Sequence, residues 1–177
     1  MFLKKMLLNK ALKGVAAGMI GGLAASLVMN LFQSGVQAAT DKLDPMAEAK
    51  ESQAQGLQTD EDATMKMAGR ISENLFDHPL DRDQRAKLGP VVHYTFGAVM
   101  GGLYGLTSEF IGGARAGFGA GFGTVLFLAA DEVGVPVMGL SGPPSQTPPK
   151  QHAMALASHI VYGVTTELVR KTARPLL

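Results

Sequence analysis

Four ionisable side chains fall inside or at the ends of apolar stretches of this 177-residue chain: His93, Asp131, Glu132 and His159. Imidazole and carboxylate are donors suited to zinc, iron or manganese, and buried acid–histidine sets also relay protons. Two histidines on different helices could ligate a haem iron from both sides. The same four groups could instead form a hydrogen-bond network that fixes helix packing. A second set, Glu109, Arg115, Glu167 and Arg170, reads as ion pairs or as charged groups that reach for an interface. His78 and His152 stand in or beside loops and read as ordinary exposed histidines. The chain has no cysteine, which excludes disulfides, thiolate metal sites and cysteine nucleophiles. No nucleophile, base and orienting group occur at a recognisable spacing, so an enzyme is not expected. Gly112-Gly113-Ala114-Arg115-Ala116-Gly117 lacks the Lys-Ser/Thr ending of a phosphate loop and follows no strand.

The elements that must position these residues are four apolar stretches, at about 11–33, 90–111, 114–138 and 151–170. Each approaches the ~20 residues that cross a ~30 Å hydrocarbon layer. Charge distribution supports that reading. Of the 15 acids, 11 lie between Asp41 and Asp83, and the other four are Glu109, Asp131, Glu132 and Glu167. So few acids outside one segment do not make a soluble surface. A net charge of +1 without interleaved aromatic and basic residues gives no support for nucleic-acid binding. The first stretch is long for a signal peptide and reads as a retained anchor.

Glycine spacing suggests how these helices meet. Gly14, Gly18 and Gly22 recur every fourth residue, as do Gly97, Gly101 and Gly105, and Gly117 with Gly121; Gly163 follows His159 by four. Such glycines cost about 1 kcal/mol each relative to alanine in a water-soluble helix, but in lipid they let helices approach closely. Leucine at Gly101 should therefore block packing, with alanine milder. His93-Tyr94-Thr95-Phe96-Gly97 and His159-Ile160-Val161-Tyr162-Gly163 match in type, and both are followed by a glutamate. With helices one and three also opening alike, the pattern suggests a parallel repeat of a two-helix hairpin.

Residues 40–89 form a polar external segment with seven bases and 11 acids. Within it, Thr59-Asp60-Glu61-Asp62 reads as a helix start, and Met67, Ile71 and Leu75 give an amphipathic helix near 60–76, ended by Asp77-His78-Pro79. The run from Ser141 to Pro149 is a stiff proline connector. Basic residues set the orientation: Lys4, Lys5, Lys10, Lys13, Arg115, Arg170, Lys171 and Arg174 fall on one side, taken as cytoplasmic with both termini. His93, Asp131, Glu132 and His159 then lie in the outer half, and Glu109 and Glu167 near the inner ends.

Pro136-Val137-Met138-Gly139-Leu140-Ser141-Gly142-Pro143-Pro144, followed by Ser158-His159 and Thr166-Glu167-Leu168-Val169-Arg170-Lys171, resembles the YagU-like family of uncharacterised bacterial inner-membrane proteins over roughly residues 90–172. The resemblance implies a bacterial inner-membrane location and transfers no catalytic residue.

The expected protein is a single all-α membrane domain, a four-span helix bundle with a polar, partly helical external loop. Its expected role is non-enzymatic: it self-associates or serves as an accessory subunit, with the lipid bilayer and other membrane chains as partners. The alternatives are a proton, ion or small-solute transporter that uses the His/Asp cluster, and a redox subunit with a divalent metal or haem at His93 and His159. No cofactor is favoured, and the metal remains open.

Overall fold

The computed structural model describes residues 1–43 and 61–177. Its described residues are helical, with no strand. Helix α1 (Phe2–Leu43) has 42 residues and is therefore about 63 Å long at 1.5 Å per residue. Its buried positions are Gly14, Ala17, Gly18, Gly21, Gly22, Ala25, Ser26 and Met29, a stripe at three- and four-residue spacing. Seven of these eight are glycine, alanine or serine, so neighbouring backbones come very near.

Helix α2 (Ala63–Phe76) starts at Asp62, whose carboxylate accepts from the Met65 N–H at 2.8 Å. Thr59 and Asp60, expected at this start, lie outside the described residues. Asp77 ends the helix in the left-handed region (φ 51°). The helix lies over the bundle: Ala68 and Gly69 are buried, and Arg70 donates to the Met138 carbonyl. Lys66 Nζ reaches the Leu140 carbonyl at 3.0 Å.

Helix α3 (Arg82–Phe110) begins eight residues before the expected Pro90, behind a capping box of Asp81 and Gln84. Pro90 sits inside the helix, which continues through it. The local reason is support on both sides of the missing N–H, from the capped first turns and from Thr64 and Met65 of α2 close to Gly89.

The third stretch departs most from a simple span. Residues Gly112–Gly119 form a 3-10 segment broken by positive φ at Gly117, Phe118 and Gly119. Helix α4 (Ala120–Leu126) then passes into a π-helical stretch, Phe127–Gly134, and a short α5 (Val135–Val137). Pro136 explains the widening. It has no N–H and its ring crowds the carbonyl four residues back, while the Val135 N–H bonds five residues back to Ala130. Helix α6 (Pro149–Ala173) opens on Pro149 at its first position, where the absent N–H is harmless, and a last 3-10 turn, Arg174–Leu176, carries Arg174 back over the bundle.

Two antiparallel glycine crossings organise the helices. In α1 and α3, Gly14 faces Gly105, Gly18 faces Gly101 and Gly22 faces Gly97. In α4 and α6, Gly163 meets Gly119 and Gly123. Gly117 and Gly121, expected in that track, do not touch a neighbouring helix; Gly121 faces its own preceding turn at Ala116. The left-handed residues 117–119 break the helical count, so the face that meets α6 is set by Gly119 and Gly123 instead. Gly21 joins α1 to α6 at Thr166. The centre holds Ala25, Met29, Leu126 and Tyr162, with Met100, Phe122 and Ala130 against them.

Two helices, Phe2–Lys42 and Gly112–Val137, are long and apolar enough to cross a membrane by length and composition. Helices α3 and α6 instead carry most of the buried polar groups.

Candidate functional site

Polar side chains gather at two levels of the bundle. The level expected to be inner, hereafter the inner level, lies where α3 and α6 end. Glu167 and Arg170, one helical turn apart on α6, form a bidentate pair at 2.7 and 3.0 Å, and both are buried. The Tyr104 hydroxyl on α3 donates to the same Glu167 at 2.9 Å. Glu109, the last glutamate of α3, accepts from Arg174 at 2.6 Å and lies 3.8 Å from Arg170. Two carboxylates and two guanidinium groups thus neutralise one another across α3, α6 and the C-terminal turn. Burying such charges is costly unless they are paired and hydrogen-bonded, which is the arrangement here.

Sequence reasoning placed Glu109, Glu167 and Arg170 in this cluster, and the structure brings the three together. Arg115 is exposed and forms no ion pair there. Tyr104 and Arg174 were not expected as members. Tyr104 had a signal, since it precedes Gly105 in the glycine track and so lies near the face that meets other helices. Arg174 had none, because only the turn at Pro175 directs it inward.

Around this network lies a cavity of about 330 Å³. Its wall includes Lys10, Ser108, Arg115 and Lys171 besides Glu109 and the two paired arginines. Lys10 lies over the Phe110 ring, 5.2 Å from its centroid, and Lys171 lies over Phe118 at 5.7 Å.

The outer level divides into separate pairs. His159 is buried and its Nδ1 faces the Ala155 carbonyl at 2.9 Å, with Asp131 at 3.7 Å. The ring proton therefore serves the backbone, and Asp131 stands as a nearby charge beyond hydrogen-bond range. Glu132 turns the other way and meets His152 Nδ1 at 2.6 Å. The other ring nitrogen of His152 faces the Pro144 carbonyl at 3.0 Å. With an acceptor at each nitrogen, only the doubly protonated ring satisfies both contacts. The expectation of an ordinary exposed His152 gives way: it ties the proline connector to the π-helical stretch. The signal lay in Pro148-Pro149, which starts α6 early enough to bring His152 opposite Glu132.

His93 stands apart. It packs edge-on to Tyr94, and its Nε2 is enclosed without a hydrogen-bond partner. No ion pair or hydrogen bond joins it to Asp131 or His159. Among the described residues, no three of His, Asp, Glu and Cys stand close enough to hold a metal ion. Asp131 and His159 supply two donors at most, since Glu132 is engaged by His152. Between the two levels, the Tyr162 hydroxyl donates to the Gly97 carbonyl at 2.6 Å. A cleft of about 290 Å³ opens at the outer level, with Asp131, Glu132 and His152 in its wall.

The exterior has the opposite character. Leu12, Leu23, Leu27 and Leu31 of α1, Val91, Val99 and Leu103 of α3, and Val125 and Leu128 of the α4 run are all exposed. The charged pair Glu167 and Arg170 is inside while many large aliphatic groups are outside, a combination unusual in a water-soluble protein.

No curated protein and no solved structure matches the chain. A family match does exist, over residues 65–168. It takes in most of α2, all of α3 and the chain on to Leu168 in α6, and so begins earlier than the resemblance read from the proline exit and the last helix. The chain belongs to the DUF1440 family of proteins of unknown function.

Proposed function

We propose that this protein is a small, non-enzymatic, multi-pass protein of the bacterial inner membrane, an accessory subunit of a larger membrane assembly. In this reading α1, α3, the α4–α5 run and α6 are four spans, and both termini face the cytoplasm. The observation that carries it is the inverted polarity: Glu167, Arg170 and His159 are buried while the aliphatic residues of α1 and α3 are exposed. Lipid rewards that arrangement, because unpaired charge in hydrocarbon is costly and apolar surface there is not. The antiparallel crossings of α1 with α3 and α4 with α6 fit an in–out–in–out course, and their shared glycine contacts favour the two-hairpin repeat. The inner ionisable groups bind one another, as in a device that joins helices. Self-association through the glycine tracks is the weaker variant, because those glycines already meet helices of the same chain.

Alkaline extraction of membranes tests the location. The protein should remain in the membrane pellet, and release into the supernatant would contradict the reading. Light scattering of detergent-purified protein then separates a monomer, expected for an accessory subunit, from a homo-oligomer.

A second reading is favoured by the outer cleft alone. Two consecutive carboxylates on a π-helical stretch beside an open cleft suit entry of a proton or cation. Its difficulty is the apolar centre below, made by Met29, Leu126 and Tyr162. Proton flux into proteoliposomes that Asp131→Asn abolishes would establish this reading in place of the first.

A further inference from the structure

We propose that the inner cavity binds a phosphate-bearing anion through Lys10, Arg115 and Lys171. The cavity of about 330 Å³ has five cations in its wall and one carboxylate, Glu109. Two of the cations are already matched, Arg174 by Glu109 and Arg170 by Glu167. Lys10, Arg115 and Lys171 have no carboxylate within ion-pair distance among the described residues. Three positive charges therefore converge on one cavity without an ion-paired carboxylate among the described residues, Glu109 acting on Lys10 only from a distance. The aromatic rings under Lys10 and Lys171 hold both ammonium groups at its rim.

An independent observation comes from Ser108. It is only 5% exposed and stands in the cavity wall. Its hydroxyl completes no hydrogen bond by distance and angle, although the Tyr104 hydroxyl, which donates its own proton to Glu167, lies close enough for a weak interaction. A buried hydroxyl without a partner costs stability, so a native one calls for an explanation. A tetrahedral oxyanion supplies acceptors for the hydroxyl, the guanidinium and the two ammonium groups together, and a phosphate carries enough charge to offset several cations. A single carboxylate offers fewer acceptors and one charge.

The phosphate could belong to a lipid headgroup of the adjoining leaflet or to a soluble phosphate or phosphate ester. The first source rests on the membrane reading above and the second does not. The test uses delipidated full-length protein in a neutral detergent. One arm titrates inorganic phosphate by calorimetry against chloride at matched ionic strength. The other counts lipids retained in native mass spectrometry after mixing with phosphatidylglycerol or phosphatidylcholine. The combined variant R115Q/K171Q removes two unpaired cations without disturbing the Glu–Arg network, and Lys5→Gln serves as control.

Retention of phosphatidylglycerol over phosphatidylcholine, without competition by inorganic phosphate, identifies a headgroup. Binding of inorganic phosphate identifies a soluble anion. In either arm the double variant should weaken binding about tenfold or more, as loss of charge-assisted contacts does, and Lys5→Gln should not. Ser108→Ala should weaken binding while leaving the unliganded melting temperature unchanged or higher, because its hydroxyl has no partner to lose. The proposal is overturned if neither probe binds above its control, or if the double variant binds as tightly as the native chain. The phosphate arm holds whether or not alkaline extraction supports the membrane location, so the two failures are separable.

Discussion

Replacing Gly101 with alanine adds one methyl group at the close crossing of α1 and α3. Its Cβ would lie 2.7 Å from Gly22 Cα and 2.8 Å from Gly22 N, and nearer still to the Gly18 carbonyl oxygen. Carbon atoms pack at about 3.5–4.0 Å, so α1 and α3 must part by roughly 1 Å at this point. None of the obstructing atoms is the flexible end of a side chain, so the strain cannot be relieved by a rotamer change. A radial gap of 0.5–1 Å forfeits about a quarter to a half of each affected van der Waals contact. Overpacking of this kind costs about 1–3 kcal/mol, against which alanine regains up to about 1 kcal/mol of helix propensity. The net expectation is a loss of about 1–2 kcal/mol. Leucine should be worse and should prevent assembly of the pair. Gly35, on the same helix, supplies the control: nothing lies within 4 Å of its would-be Cβ. Gly35→Ala should be neutral or stabilising by up to about 1 kcal/mol. Thermal unfolding of both variants, purified in the same detergent, reads the difference. Equal melting temperatures for Gly101→Ala and the native chain would refute the glycine crossing.

Three further outcomes follow from the polar clusters. Glu167→Leu strips Arg170 of its bidentate partner and Tyr104 of its acceptor, and should cost about 3–5 kcal/mol in a thermal or chemical unfolding experiment. Tyr104→Phe removes only the hydroxyl contact to a charged group and should cost about 1.5–3 kcal/mol; an unchanged melting temperature would remove Tyr104 from the network. His93→Leu should leave the melting temperature unchanged or raised, because the enclosed Nε2 has no partner to lose, and a marked drop would show that His93 has a partner after all.

The glycine spacing made much of this fold legible in advance. Gly14, Gly18 and Gly22 pointed to a close helix crossing, and the structure finds their counterparts in Gly105, Gly101 and Gly97. The third apolar stretch was harder to read because Gly117, Phe118 and Gly119 adopt positive φ, which four-residue spacing cannot reveal. The start of α3 was hidden by Pro90, a helix breaker in isolation that is tolerated here after a capped first turn. Height along the helices grouped Glu109 with Glu167 and Arg170, and the structure brings these three together near the ends of adjacent helices. Height could not settle rotation about the helix axis. Asp131 and Glu132 are adjacent in sequence, yet one faces His159 and the other His152. His93, similar in its local sequence to His159, has neither carboxylate as a partner.

Single-cysteine labelling tests the central claim most directly, because the chain has no native cysteine. Ser145 lies in the proline connector and Thr172 near the end of α6, and both are exposed. In intact cells an impermeant thiol reagent should modify a cysteine at Ser145 and spare one at Thr172 until the membrane is opened. Labelling of Thr172 alone would reverse the proposed orientation, and equal labelling of both in intact cells would contradict a bundle whose ends lie on opposite sides of a bilayer.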